Sequence, residues 1–225
     1  MTPRGILLDI EGTTTPIAFV YDVLFPFARS RVGEYLHQAD LESLKREHDE
    51  DIRQGQNPPP WSDQPVQYLQ WLIDHDRKST PLKTLQGKIW FEGFERGELR
   101  GEVFQDVPRA FERWRQKKID VRIFSSGSIL AQRLLFSTTA SGDLTRFLNG
   151  YFDTTTGPKK DAASYRRIAT AFGIPASEIL YISDVTDELD AARQAGMQTL
   201  LCVRPGNHPQ PPHDHSSINS LDEVG

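Results

Sequence analysis

Three observations predict an α/β fold, a parallel Rossmann-like sheet with helices on both faces plus an inserted all-helical cap. Short apolar runs at Ile6–Leu8, Val121–Phe124 and Ile179–Ile182 are each followed at once by oxygen-bearing side chains. Between and after the later runs, apolar residues recur at helical spacing, so strand and helix alternate and a parallel sheet with right-handed crossovers follows. From Thr15 to Gly101 nothing reads as a strand. The expected core is therefore residues 1–18 with 102–225, and residues 19–101 are a helical insertion that would lie over the end of the first strand.

In chain order, Ile6, Leu7 and Leu8 form the continuous apolar run of a strand covered on both faces. Asp9 and Glu11 follow, two residues apart, so both carboxylates address one place at the carboxyl edge of the sheet, where open α/β sheets bind ligands. Gly12 breaks the strand. Val20, Leu24, Phe27, Val32 and Leu36 have roughly helical spacing, with a kink or break expected at Pro26. The charge-laced stretch from Leu41 to Gln56 reads as a solvated helix without chemistry, and Asn57–Pro60 as a stiff loop. Val66–Ile73 is helical, and Pro81 sits at a favourable early position of the next helix.

The α/β alternation resumes with an amphipathic helix over Val107–Arg115 and the strand Val121–Phe124, which ends in Ser125-Ser126-Gly127-Ser128. Helix Ile129–Phe136, a short strand from Tyr151, helix Ser164–Phe172 closed by Gly173, strand Ile179–Ile182, helix Glu188–Ala195 closed by Gly196 and strand Thr199–Val203 complete the pattern. Beyond Gly206 the chain is poor in apolar residues and rich in Pro and His. His208, His213 and His215 lack companion ligands at regular spacing, so a mobile tail is expected, with Ile218 and Leu221 packing back. No internal repeat is present.

The net charge of −5 and the absence of a Lys/Arg cluster along one face argue against nucleic acid as a partner. One cysteine, Cys202, rules out an internal disulfide, fits a reducing compartment and reads as core. No apolar run approaches the roughly 18–20 residues of a membrane span, and Ile6–Leu8 is too short for a signal peptide. The expectation is a soluble, cytoplasmic protein, monomeric by default.

If Asp9, Glu11, Ser125, Ser126 and Asp184 converge, the crowded carboxylates need a cation among them. Mg²⁺, one per chain, suits oxygen donors and substrate phosphate. The serine pair opens a helix, and its hydroxyls, N–H groups and helix dipole make an anion seat. Cation and anion seat together point to a phosphate ester. Asp9 is the expected nucleophile, forming an aspartyl-phosphate, and Glu11 the general acid and then base. A positive charge for the phosphoryl oxygens would come from Lys159, or from Lys160 beside it, in the loop before Ser164.

These residues carry a resemblance. Asp9-Ile-Glu-Gly-Thr13, Ser125-Ser-Gly-Ser128, Lys159 before a helix, and Asp184 with Glu188 resemble, in order, the four motifs of the haloacid dehalogenase-like hydrolases. That superfamily commonly has Asp where Glu11 stands. With Leu85–Trp90, Asp106-Val-Pro108, Asp184-Val-Thr186 and Val203-Arg-Pro-Gly206, the chain looks like the enolase-phosphatase (acireductone synthase) branch, from about Gly5 to Gly206. The resemblance implies enolisation of 2,3-diketo-5-methylthiopentyl-1-phosphate in methionine salvage, then loss of phosphate to give acireductone. It implies Mg²⁺ held by Asp9, Asp184 and the Glu11 backbone carbonyl, and substrate bound by Ser125, Ser126 and Lys159. Glu188 is expected behind the metal aspartate without ligating it. Trp90, Phe91 and Phe94 are either contacts for the methylthio chain or a buried helix face. Rival readings are a phosphatase for another small ester, a dehalogenase, and a signalling receiver domain.

Overall fold

The computed structural model describes residues 3–225. Strand β1 (Gly5–Leu8) is fully buried, and Ile6, Leu7 and Leu8 each contribute about 1.5–3 kcal/mol by leaving water. The chain then enters a π-helical turn, Phe19–Leu24, that runs directly into α1 (Phe25–Arg31). Pro26 stands in the first turn of α1, where its missing N–H costs nothing, so the break expected there is a change of helical winding. Helices α2 (Leu41–Arg53), α3 (Val66–Asp74) and α4 (Thr80–Glu95) follow, with the Asp40 and Ser79 side chains accepting from Ser43 N and Leu82 N as N-caps.

After Arg100 come α5 (Asp106–Gln116), β2 (Asp120–Phe124), α6 (Ile129–Ser137), β3 (Gly150–Phe152), α7 (Ala162–Phe172), β4 (Ile179–Ser183), α8 (Thr186–Gln194), β5 (Gln198–Cys202) and β6 (Ser217–Ile218). The strands form one sheet in the order β3-β2-β1-β4-β5-β6 with every pair parallel. Strand β1 is central, and the winding reverses between β1 and β4, the switch point at which such sheets bind ligands. Leu8 is level with Ile123 of β2 and Ile182 of β4. That register brings Asp9, Ser125 and Ser183–Asp184 out along one edge.

Ile218 and Leu221 pack back as expected, but the tail is tied into regular structure rather than loose. Ser217 and Ile218 add a sixth strand beside Leu201 and Cys202, Leu221 and Val224 are buried, and the Arg113 guanidinium donates to the Leu221 and Val224 carbonyls. His215 is buried between Thr199 Oγ1 (3.0 Å) and Asp190 Oδ1 (3.1 Å), a tether for the segment leading into β6. A two-residue strand is too short to show a period, and apolar residues at 218, 221 and 224 fit a helical turn or a strand equally poorly.

By internal contacts the chain divides into two compact units, one of residues up to Phe19 together with Arg100–Gly225, the other Val20–Leu99. In the helical unit Tyr68, Leu69, Leu72, Leu85 and Ile89 form the core. Asp51 on α2, expected on a solvated face, is buried there and is paired with Arg77 and with the Tyr68 hydroxyl. Trp90 donates from Nε1 to the Leu24 carbonyl at 2.9 Å, and Phe94 is buried, so both serve packing, whereas Phe91 is exposed. Among the described residues no helix is long and apolar enough to cross a membrane.

Candidate active site

Asp9 extends β1 by one residue, its N–H donating to Ile182 O at 3.0 Å, and is nearly enclosed. Its Oδ1 lies 2.7 Å from Lys159 Nζ and accepts from Ile10 N, while Oδ2 accepts from Ser183 Oγ at 3.2 Å. The chain then folds over itself: the N–H groups of Thr13, Thr14 and Thr15 converge on Ile10 O, and Gly12 N donates to Thr15 O. Gly12 is required twice. Its φ of +66° is left-handed, and a Cβ there would stand 2.3 Å from Asp184 Oδ2. Glu11, half-buried, opens this turn and bridges to Thr15.

The lysine alternatives separate. Lys159 is buried, with Nζ 2.7 Å from both Asp9 Oδ1 and Glu188 Oε2. Lys160 is exposed and pairs with Asp187 on the surface. Gly157, at φ +141° with no room for a Cβ beside Ser164 Oγ, makes the turn that delivers Lys159, and the Tyr165 hydroxyl donates to the Lys159 carbonyl at 2.7 Å. Burial disfavours the ammonium, but Asp9 and then Glu188 outweigh it and hold Lys159 above its ordinary pKa. Glu188 Oε2 also accepts from Tyr181 OH (2.7 Å) and Ser183 Oγ (3.2 Å). Burial pushes its carboxyl up, against the pull of Lys159.

Ser125 and Ser126 share the edge with Asp9 through sheet register. Ser125 is buried with Oγ accepting from Gly127 N, and Ser126 is exposed. Ser128 caps α6, and the first helical N–H, of Ile129, goes to Asp153 Oδ2 at 3.3 Å. The anion seat expected at this helix start thus already contains one carboxylate, from a residue the sequence did not single out.

Other participants carried no signal of chemistry in the sequence. Tyr181 and Tyr165 look like core aromatics, and Ser183 is one more strand residue. The loop after β5 was legible only as a family string, yet Arg204 donates from Nε and Nη2 to Thr13 O (3.2 and 3.1 Å), and Asn207 Nδ2 donates to Gly12 O (2.9 Å). Arg204 also pairs with buried Asp106 at 2.8 Å. Burial works against the Asp106 carboxylate, but Arg204, the Leu221 N–H and Ser220 outweigh it and hold the carboxyl below its ordinary range.

Asp184 supplies the fit test for a cation. Its carboxyl is pushed up to about 7, first by burial and then by the charge of Asp9, so two buried acids face one space that a single lysine does not neutralise. Among the described residues no three His, Cys, Asp or Glu side chains are gathered to hold a metal. Two carboxylates and a backbone carbonyl are nonetheless the donor set suited to Mg²⁺, which keeps several waters.

A central-strand aspartate paired with a buried lysine, facing acids at the end of the adjacent strand, defines a haloacid dehalogenase-like hydrolase; the model of that family matches residues 3–196, and the chain belongs to it. In an alignment 231 positions long, the chain is 48% identical to enolase-phosphatase E1 of Synechococcus elongatus, covering 97% of this chain and 96% of that protein. It is 44% identical, over 99% of its own length and 46% of the other's, to a Ricinus communis protein named probable bifunctional methylthioribulose-1-phosphate dehydratase/enolase-phosphatase E1. The UTR4 protein of Saccharomyces cerevisiae superposes with a TM-score of 0.77 at 33% identity, covering 99% of this chain and 100% of that one. Within the family the chain stands in the enolase-phosphatase E1 branch.

Proposed function

We propose that the chain is a Mg²⁺-dependent bifunctional enolase-phosphatase of methionine salvage. It enolises 2,3-diketo-5-methylthiopentyl-1-phosphate and hydrolyses the phosphate through an aspartyl-phosphate to give acireductone, 1,2-dihydroxy-3-keto-5-methylthiopentene. Near-full-length identity to enolase-phosphatase E1 supports this, as does the plant relative whose name joins that activity to a methylthioribulose-1-phosphate dehydratase. The observation that carries the mechanism is the Lys159 ammonium held 2.7 Å from Asp9 Oδ1 at the end of the central strand. A phosphoryl group entering there meets a nucleophile and a fixed positive charge together.

Asp9 attacks phosphorus, so that its carboxylate oxygen bonds to phosphorus as the ester P–O bond breaks. Glu11 gives its proton to the departing oxygen. It then takes a proton from the water that attacks the aspartyl-phosphate, which restores Asp9 and releases inorganic phosphate. Lys159 holds the phosphoryl oxygens throughout, with Ser125 and Ser126 as further donors. Asp9, Asp184 and the Glu11 carbonyl would hold Mg²⁺, which when bound neutralises charge on the phosphoryl group and polarises the substrate carbonyl for enolisation. Phosphate monoesters demand such convergence, since enzymatic accelerations reach on the order of 10²¹.

The test is incubation with the diketo phosphate and Mg²⁺, following acireductone absorbance and free phosphate together. Both are expected to rise. Phosphate without acireductone would remove the enolase half, and neither product would overturn the assignment.

A further inference from the structure

The loop after β5 grips consecutive carbonyls of the acid turn, and one of its side chains is only half used. Asn207 Nδ2 donates to Gly12 O at 2.9 Å and to Cys202 O at 3.1 Å. Carbonyl oxygens only accept, so the two contacts together determine which amide atom is nitrogen and which is oxygen. The oxygen, Oδ1, is buried and has no hydrogen-bond partner among the described residues. It lies 2.9 Å from the point where a Cβ on Gly12 would sit, and Asp184 Oδ2 lies 2.3 Å from that same point. Two acceptor oxygens therefore crowd the same side of Gly12.

A buried acceptor left unpaired is costly, and a donor between these oxygens would satisfy both. We propose that Asn207 is a positioning residue of the cation site: Oδ1 accepts from a water held by a divalent cation on Asp184, while Nδ2 fixes the Gly12 carbonyl and with it the adjoining Glu11 peptide. A cation that keeps several of its waters is the species that presents such a donor, and partners of this outer kind orient the ligands proper. The nearby Arg204 has a different task. Its guanidinium gives four of its N–H groups to Thr13 O, Asp106 and Asn219 O and, having no acceptor, cannot take a hydrogen bond from a cation-bound water.

The inference rests on the Mg²⁺ assignment above, and the experiment separates the two. Mg²⁺ is titrated calorimetrically into the full chain as wild type, Asn207→Ala and His208→Ala, the last an exposed neighbour, and thermal unfolding is recorded in EDTA. Loss of such an outer partner weakens metal binding by roughly 10- to 100-fold. Asn207→Ala is therefore expected to bind Mg²⁺ at least about tenfold more weakly, with phosphate release recovered by raising Mg²⁺. Its unfolding in EDTA should stay cooperative, at a temperature lowered by loss of the hydrogen bonds to Gly12 O and Cys202 O, and His208→Ala should bind Mg²⁺ as wild type does. Should the alanine variant not fold, Asn207→Ser, too short to reach Gly12 O, carries the same expectation. An Asn207 variant that binds Mg²⁺ as tightly as wild type overturns this inference and leaves the cation assignment standing; a wild type that binds no Mg²⁺ overturns both.

Discussion

Replacing Arg204 by methionine tests the connection between the acid turn and the rest of the core. Arg204 and Asp106 are 5% and 7% exposed at the side chain, with Nη2 2.8 Å from Oδ2. Removing the guanidinium strips Asn219 O of its donor, leaves Thr13 O with only the weak Cys202 thiol, and leaves Asp106 with only the Ser220 hydroxyl and the Leu221 N–H. Breaking one side of a buried pair costs about 3–5 kcal/mol, and methionine roughly preserves the volume. In a chain of this size each kcal/mol moves Tm by about 2–4 °C, so a fall of about 6–20 °C is expected at pH 7. The folded carboxyl of Asp106 lies below its unfolded value because Arg204 and the Leu221 N–H outweigh burial. Its stabilisation is therefore complete above the unfolded pKa, about 3.9, and lost as pH falls through the folded one. The gap between wild type and Arg204→Met should be widest near neutrality and close as pH drops below about 4. Thermal unfolding by circular dichroism in EDTA at pH 7, 5 and 3.5 measures it. A gap that persists unchanged into acid would show that the ion pair is not the source, and one under about 1 kcal/mol at pH 7 would class it with surface pairs.

Further expectations concern the site itself. Asp9→Asn should fold and release no phosphate; substantial turnover would move the nucleophile elsewhere. Lys159→Ala should lose on the order of 10²–10³-fold in phosphate release, as for removal of a preorganised charge donor, while Lys160→Ala, whose partner Asp187 lies at the surface, should stay near wild type. Glu11→Ala should cost on the order of 10²–10⁴-fold in rate. Mg²⁺ at a fixed concentration, 100 times the Kd measured at pH 8, should stabilise the wild type by about 2.7 kcal/mol at pH 8 and by less at pH 5, because burial and Asp9 push the Asp184 carboxyl up to about 7; equal shifts at both pH values would remove Asp184 from the cation. Deleting residues 217–225 should abolish cooperative unfolding, since Ile218, Leu221 and Val224 leave the core and each buried apolar side chain is worth about 1.5–3 kcal/mol.

What was legible in the sequence was what is local in the chain. Ile6, Leu7 and Leu8 declare a buried strand through their own side chains, and Asp9 declares its end, so the sheet edge could be assembled from strand ends alone. The choice between Lys159 and Lys160 was not legible in the loop's own residues, and only the family resemblance favoured Lys159. Both stand in one loop with the same neighbours, and only the Gly157 turn and the Tyr165 hydroxyl, which holds the Lys159 carbonyl, decide which ammonium goes inward. The histidines after Gly206 misled in the opposite sense, for His215 contributes its ring to Thr199 and Asp190 and so ties the tail down.

The contacts that were least legible span the most chain. Arg204 to Thr13 and Asn207 to Gly12 join the first strand's turn to a loop almost two hundred residues later, and no periodicity connects positions so far apart. Strand ends can bring carboxylates to one edge but do not set the direction of a peptide carbonyl, which depends on what grips it. Gly12 gives the turn a left-handed φ, and side chains from the loop after β5 grip the carbonyls of Gly12 and Thr13 that the turn presents. The proposed nucleophile, Asp9, thus stands where β1 ends, whereas the carbonyls around it are gripped from near the end of the chain, which is why a substitution at Asn207 should alter cation affinity without touching substrate.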